Sequence, residues 1–169
     1  MAVVRFIADT HFGHEAMSVM RGFKTVEEHD NYIVEKWNSV VKRKDLTYIL
    51  GDVTMEKSSY EILDILNGKK NVILGNHDKM NHVGNLLNYV QKVGWLVRYS
   101  QKWFEKVFLS HCPIHPIELD YRVKFNIHGH IHENSIMIDN KIDKRYICVS
   151  CEHVDYTPKT FKELMELWK

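Results

Sequence analysis

Five short apolar or β-branched runs in this chain each stop at side chains that bind metals. They end in Asp9-Thr10-His11, Gly51-Asp52, Gly75-Asn76-His77-Asp78, Ser110-His111 and His128-Gly129-His130-Ile131-His132. Apolar runs of this length bounded by Gly, Asn or Asp read as buried strands. The polar residues therefore sit where strand gives way to loop. Five such ends in succession predict one shared site at the C-terminal ends of strands.

The intervening segments favour an α/β layered fold. Val3–Ala8, Leu46–Leu50 and Asn71–Leu74 read as strands. Thr25-Val26-Glu27-Glu28 is a capping box that opens a helix, with Val26, Ile33, Trp37, Val40 and Val41 at roughly helical spacing. Ser58 followed by Glu61 predicts a second helix stopped by Asn67-Gly68, and a third is expected near Val83 to Val90. After Trp95 the texture changes to short strands, at Trp95–Tyr99, Trp103–Leu109, Phe125–His128, Ile136–Ile138 and Tyr146–Val149. Thr157-Pro158 predicts the start of a final helix, with Pro at its first position. Alternating elements followed by a strand-rich half suggest a sandwich.

At 169 residues the chain is expected to form a single domain over 1–169, a size that buries ~70% of its unfolded surface. Its 44% hydrophobic and 27% charged residues are ordinary for a soluble globular protein. Lys+Arg of 23 against Asp+Glu of 22 gives a net charge of +1. Extended nucleic-acid binding is therefore not expected, because neutralising many phosphates calls for a basic excess. No apolar stretch approaches the ~20 residues of a membrane span, no signal-peptide pattern precedes the first strand, and three cysteines suit a reducing compartment. The expectation is a cytoplasmic protein. Histidine is abundant, at 11 residues, and most of these fall in or beside the five segments.

Asp, His and Asn donors suit Mn, Fe, Zn, Ni or Co better than a thiolate-seeking ion. Asp9 and His11 are two apart, as are His130 and His132, so an extended backbone would aim each pair to one side. A carboxylate such as Asp52 can bridge two cations. Adding Asn76 and His111 brings the donors to seven, too many for one catalytic ion and suited to two. Two cations ~3.5–4 Å apart clamp the attacking and leaving oxygens of a displacement at phosphorus, and a water they hold ionises near pH ~7. His77 can donate a proton to the leaving oxygen, and Asp78 beside it could orient the imidazole and hold it protonated.

The motifs Asp9-x-His11, Gly51-Asp52, Gly75-Asn76-His77-Asp78, His111 and Gly129-His130-x-His132 occur in the order found in the calcineurin-like metallophosphoesterases, which this chain resembles over about residues 3 to 132. Single motifs are weak signals, whereas the five together are very specific. The resemblance implies a four-layer αββα sandwich of two mixed β-sheets flanked by helices. It assigns Asp9, His11, Asp52 and His132 to one metal, and Asp52, Asn76, His111 and His130 to the other. It makes His77 the catalytic histidine and Asp78 its partner. The expected activity is phosphoester hydrolysis, of a diester or monoester, by metal-activated hydroxide. The expected cofactors are two divalent ions, Mn foremost with Fe, Ni, Zn or Co as alternatives, and the expected partner is a small phosphoester, a nucleotide among the candidates.

Thr10-His11-Phe12-Gly13-His14 with Arg21-Gly22-Phe23 further resembles small bacterial and phage members of this family. His14 and Arg21 are candidate substrate contacts, Arg21 as a bidentate phosphate clamp. Small members often carry Asn where this chain has Cys148, in Cys148-Val149-Ser150-Cys151-Glu152. Cys148-x-x-Cys151 has no second Cys pair and is read as structural. His128 is read as packed behind the ligands, and His29, His82, His115 and His153 as surface or loop residues. Specificity is expected from the Phe12–Phe23 loop and the Tyr89–Trp103 region. The alternative reading is a catalytically silent binding scaffold of the same fold, of which a retromer subunit is an example. It predicts eroded ligands or a lost catalytic histidine, and this chain has neither.

Overall fold

A computed structural model describes residues 2–55, 57–100, 106–121 and 123–168. In chain order the regular elements are β1 (Val4–Ile7), α1 (Glu15–Met20), α2 (Val26–Val40), β2 (Leu46–Leu50), β3 (Lys69–Ile73) and α3 (Val83–Leu86). There follow β4 (Lys92–Gly94), β5 (Leu96–Tyr99), β6 (Val107–Ser110) and β7 (Phe125–His128). The chain then forms β8 (Met137–Ile138), β9 (Lys141–Ile142), β10 (Tyr146–Cys148), β11 (Lys159–Thr160) and α4 (Phe161–Leu167).

Two mixed sheets result. One has the order β11-β1-β2-β3-β4, the other β10-β7-β6-β5, and β8 and β9 form a separate hairpin. Strands β1 to β4 run parallel, with Ile7 opposite Ile49 and Ile49 opposite Val72; β11 is antiparallel to β1. Strands β6, β7 and β10 are likewise parallel, and β5 is antiparallel to β6. Parallel strands are buried on both faces, which is why their sequences are near-continuous apolar runs. One apolar cluster joins the sheets, including Phe6, Ile49, Val72, Leu109, Ile127 and Ile147. A smaller cluster of Leu119, Val123 and Tyr146, with Phe108 against it, covers the other face of the second sheet.

The α/β sandwich of two mixed sheets is therefore present, with few helices. In α2, Ile33 and Trp37 are buried, and the Trp37 indole donates to the Asn67 carbonyl at 3.0 Å. Helix α4 spans both sheets at one edge. Its Phe161 ring meets Phe125, with centroids 6.2 Å apart, and the Trp168 indole donates to the Tyr146 carbonyl at 2.8 Å.

Several local expectations are corrected. The helix expected from Ser58 winds as a 3-10 helix, Lys57–Asp64, a tighter form common in short pieces. The helix expected over Val83–Val90 is regular only over Val83–Leu86. The final helix starts at Phe161 rather than Pro158, because Lys159 and Thr160 pair with β1 as an edge strand. Thr160 then supplies the cap: its hydroxyl accepts from the Glu163 amide, and the Glu163 carboxylate accepts from the Thr160 amide. Helix α1 forms in the segment read as loop, and β4, β9 and β11 were not expected. Trp103 and Phe104 lie outside the described residues. Among those residues, no helix is long and apolar enough to cross a membrane.

Candidate metal centre

The parallel pairing brings the ends of β1, β2 and β3 to one edge of the first sheet, and the ends of β6, β7 and β10 to one edge of the second. The two edges meet. The Ala8 amide donates to the Val149 carbonyl at 2.8 Å, and the Cys151 amide to the Ala8 carbonyl at 3.1 Å. Beyond the strands the ladder continues as Asp9 amide to Gly51 carbonyl and His11 amide to Asp52 carbonyl, each 3.0 Å.

The i, i+2 spacing does not work through extended backbone as expected. Asp9, His11, Asp52, His130 and His132 all have positive φ, at 57°, 47°, 52°, 74° and 48°. Each side chain is turned inward by a left-handed residue just past a strand end. Close approach requires glycine nearby: a Cβ on Gly75 would overlap the Asp52 carboxylate, and one on Gly51 the His111 ring.

All seven predicted donors are brought together. Donor atoms of Asp9, His11 and His132 lie within 4.8 Å of one another, as do those of Asp9, Asp52 and His111. Asp52 Oδ2 is 3.8 Å from His11 Nε2 and 3.4 Å from His111 Nε2, so it lies between the two groups. His111 Nε2 is 2.9 Å from Asn76 Oδ1 and 3.2 Å from His130 Nδ1. Both ring nitrogens of His11 are buried with no hydrogen-bond partner among the described residues. A buried polar atom without a partner is costly, and a cation between these donors would satisfy it. The donor set fits a divalent metal.

The histidines are aimed by their other nitrogens, as in most metal sites. His111 Nδ1 is 2.8 Å from the Leu50 carbonyl, and His132 Nδ1 is 3.1 Å from Glu152 Oε1. Each leaves Nε2 free to ligate. Asp9 is held by Ser150, whose hydroxyl donates to Oδ2 at 2.6 Å, and by the His130 amide at 3.0 Å.

Electrostatics follow from crowding these groups in a buried cleft. Burial raises the Asp9 carboxyl to about 6 and lowers His11 to about 3. Burial also opposes charge on Asp52 and His111, but their mutual attraction outweighs it, so Asp52 falls below its ordinary value and His111 rises above its own. The Glu152 hydrogen bond raises His132.

Arg21 is not an open phosphate clamp. Its side chain is only 3% exposed, and all three of its nitrogens are engaged. They point at Glu152 Oε1 (2.9 and 2.8 Å), the Asp9 and Thr10 carbonyls (2.7 and 3.4 Å) and His29 Nε2 (2.9 Å). His29 is fully buried rather than at the surface, because it links Arg21 to Asp30 at 2.8 Å. Asp78 also departs from expectation. Its carboxylate accepts from the amides of Asp52, Val53 and Gly75 at 2.8, 3.0 and 2.8 Å, and so fixes the backbone of the ligand loops. Among the described residues no hydrogen bond joins it to His77. The His77 side chain is 46% exposed at the mouth, with Nε2 4.0 Å from Asp52 Oδ2.

His14 stands beside His11, with ring centroids 5.7 Å apart and a buried, unpartnered Nδ1. His128 is packed as expected, with Nδ1 2.8 Å from the Gly129 carbonyl. Cys148 and Cys151 are buried free thiols, Cys148 3.2 Å from the Ser150 hydroxyl. Glu152 and Ser150 are the supporting residues the sequence reading missed. They too follow a strand end, at Cys148, which is the signal that could have found them.

A family model described as calcineurin-like phosphoesterase matches residues 2–134. The chain belongs to that family. An uncharacterised protein of Methanocaldococcus jannaschii is 32% identical over 180 residues, covering 99% of this chain and 92% of its own length. A solved structure of a protein of unknown function from Aquifex aeolicus is 27% identical, with a TM-score of 0.77 over 99% of this chain and 100% of its own. The structure of an archaeal phosphodiesterase shares the fold at 14% identity, with a TM-score of 0.50 over 87% of this chain and 81% of its own.

Proposed function

We propose that this calcineurin-like phosphoesterase is a dinuclear enzyme that hydrolyses a small phosphoester. One observation carries the reading: seven Asp, His and Asn donors converge around Asp52 Oδ2, while both nitrogens of buried His11 lack a protein partner. Asp9, His11, Asp52 and His132 would hold one cation and Asp52, Asn76, His111 and His130 the other. Divalent cations bound there supply Lewis-acid chemistry, ionising water and neutralising phosphoryl charge.

The chain's own groups do the rest. Asp78 and Ser150 fix the ligand loops and the Asp9 carboxylate. Glu152 and the Leu50 carbonyl keep His132 and His111 in the tautomer that leaves Nε2 free. The backbone amide of His77 donates to Asp52 Oδ1 at 3.0 Å, which places its imidazole at the open face of the centre. There it can deliver a proton to the departing oxygen. His14, with its unpartnered Nδ1 on the same side, is retained as a substrate contact; Arg21 is assigned to positioning.

Metal analysis followed by a panel of mono-, di- and cyclic phosphates with Mn, Ni and Zn tests the reading, with Mn the first choice. His77→Ala is expected to lower turnover on the order of 10²–10⁴-fold while sparing metal content. Undiminished turnover would remove His77 from the mechanism. A metal-loaded protein inert toward the whole panel would favour the scaffold reading.

A further inference from the structure

We propose that the pocket beside His130 and His132 seats the organic group of the substrate, and that it selects phosphoesters with a neutral, apolar-faced group over those carrying a second phosphate. This rests on the phosphoesterase reading above.

The pocket has a volume of about 610 Å³ and is lined by His130 and His132. A group filling it is therefore within covalent reach of a phosphoryl group at the centre. Its volume falls in the range of small-molecule sites, about 300–1,000 Å³. Part of the lining is apolar. Met17 and Met20, one turn apart on α1, line the pocket together with Tyr156 and Ile131. Met20 is 79% exposed, an unbranched thioether that can adapt to a flat ring.

The charges decide which groups fit. Arg21 is the cationic side chain of the lining apart from the histidines, and all three of its nitrogens are already engaged by Glu152, His29 and two carbonyls. The acidic lining residues are the carboxylates Glu133 and Glu152. A second phosphate would meet no unengaged nitrogen of Arg21 and would face the Glu133 carboxylate, with the Glu152 charge already balanced by Arg21. A neutral ring would lose nothing there, and Asn134 offers it an amide for hydrogen bonding. In hydrolysis the bond broken joins phosphorus to one ester oxygen; water supplies hydroxide to phosphorus and a proton to that oxygen.

The test uses the Mn-loaded full chain and three chromogenic diesters: methyl p-nitrophenyl phosphate, thymidine 5′-(p-nitrophenyl phosphate) and its 3′-phosphorylated counterpart. The thymidine ester is expected to show a KM roughly tenfold below the methyl ester, and the 3′-phosphate to cancel that gain. Met17→Ala with Met20→Ala should raise KM for the thymidine ester toward the methyl value, leaving kcat and the methyl ester unchanged. Met20→Glu, at an exposed position, should do the same without touching the core. Equal KM for the methyl and thymidine esters, or variants that impair both alike, would overturn the pocket assignment while leaving the phosphoesterase reading standing. No turnover of any ester would overturn both.

Discussion

Asp9, His11, Asp52, His130 and His132 all sit in the left-handed region of backbone space, where an L-residue is disfavoured by on the order of 1 kcal/mol. Hydrogen bonds from the Asp9 and His11 amides to Gly51 and Asp52 hold two of them there against that cost. The arrangement leaves little slack. A Cβ on Gly129 would lie 2.5 Å from Asp9 Oδ2 and from the Ala8 Cβ. Gly129→Ala is therefore expected to destabilise the fold by about 1–3 kcal/mol and to weaken cation binding, read by denaturant titration and calorimetry. The convergence of these donors was legible in the sequence because Asp, His and Asn recur at five successive strand ends, which turn or capping roles taken singly would not explain. Their backbone conformation was not. Period-two spacing predicts convergence from an extended strand, and nothing in Asp9-Thr10-His11 separates that from a left-handed turn. Asp78 was misread for a related reason: adjacency to His77 suggested an ion pair, but three unpaired amides claimed the carboxylate.

At the scale of elements, the strands and α2 were readable and the supporting pieces were not. Helix α1 has six residues, and its N-cap, His14, makes no side-chain capping bond. It therefore carried no start signal. Yet the turn that ends it presents Arg21, which ties α2, through His29, to the carbonyls beyond β1 and to Glu152 beyond β10. Arg21→Ala would leave Glu152 and two carbonyls without their donor and is expected to destabilise the protein by about 3–5 kcal/mol. Glu152→Gln keeps the shape but weakens the hold on His132. It should lower metal affinity by roughly 10–100-fold at one site, with the other site unchanged in a two-step calorimetric titration. If affinity is unaltered, Glu152 does not orient the ligand.

For the molecule as a whole, burial of neutral histidines sets the acid limit of the metal-free protein. His11 falls to about 3 and His128 to about 4, whereas an unfolded histidine titrates near 6.5. The unfolded chain thus takes up protons first, so this stability is present above about pH 6.5 and is lost as pH falls toward 4. Asp9, raised to about 6, acts in the opposite sense, its contribution fading as pH rises through that value. The raised His111 and His132 oppose it too, but the downward shifts of His11 and His128 are larger than the upward shift of Asp9. Metal-free protein should therefore melt at lower temperature at pH 4.5 than at pH 6.5, in thermal scans monitored by circular dichroism. An unchanged midpoint would show that these rings are hydrated. A layered α/β sandwich was legible because apolar runs alternate with a capped helix, and its two mixed sheets were implied by the family resemblance. How the sheets meet was not, since that contact joins residues far apart in sequence. The hydroxyl of Ser150 grips Asp9 across 141 residues. During synthesis the Asp9 carboxylate must therefore wait for the segment after β10, 141 residues later, before it is secured, so the candidate centre cannot be completed on a partly made domain.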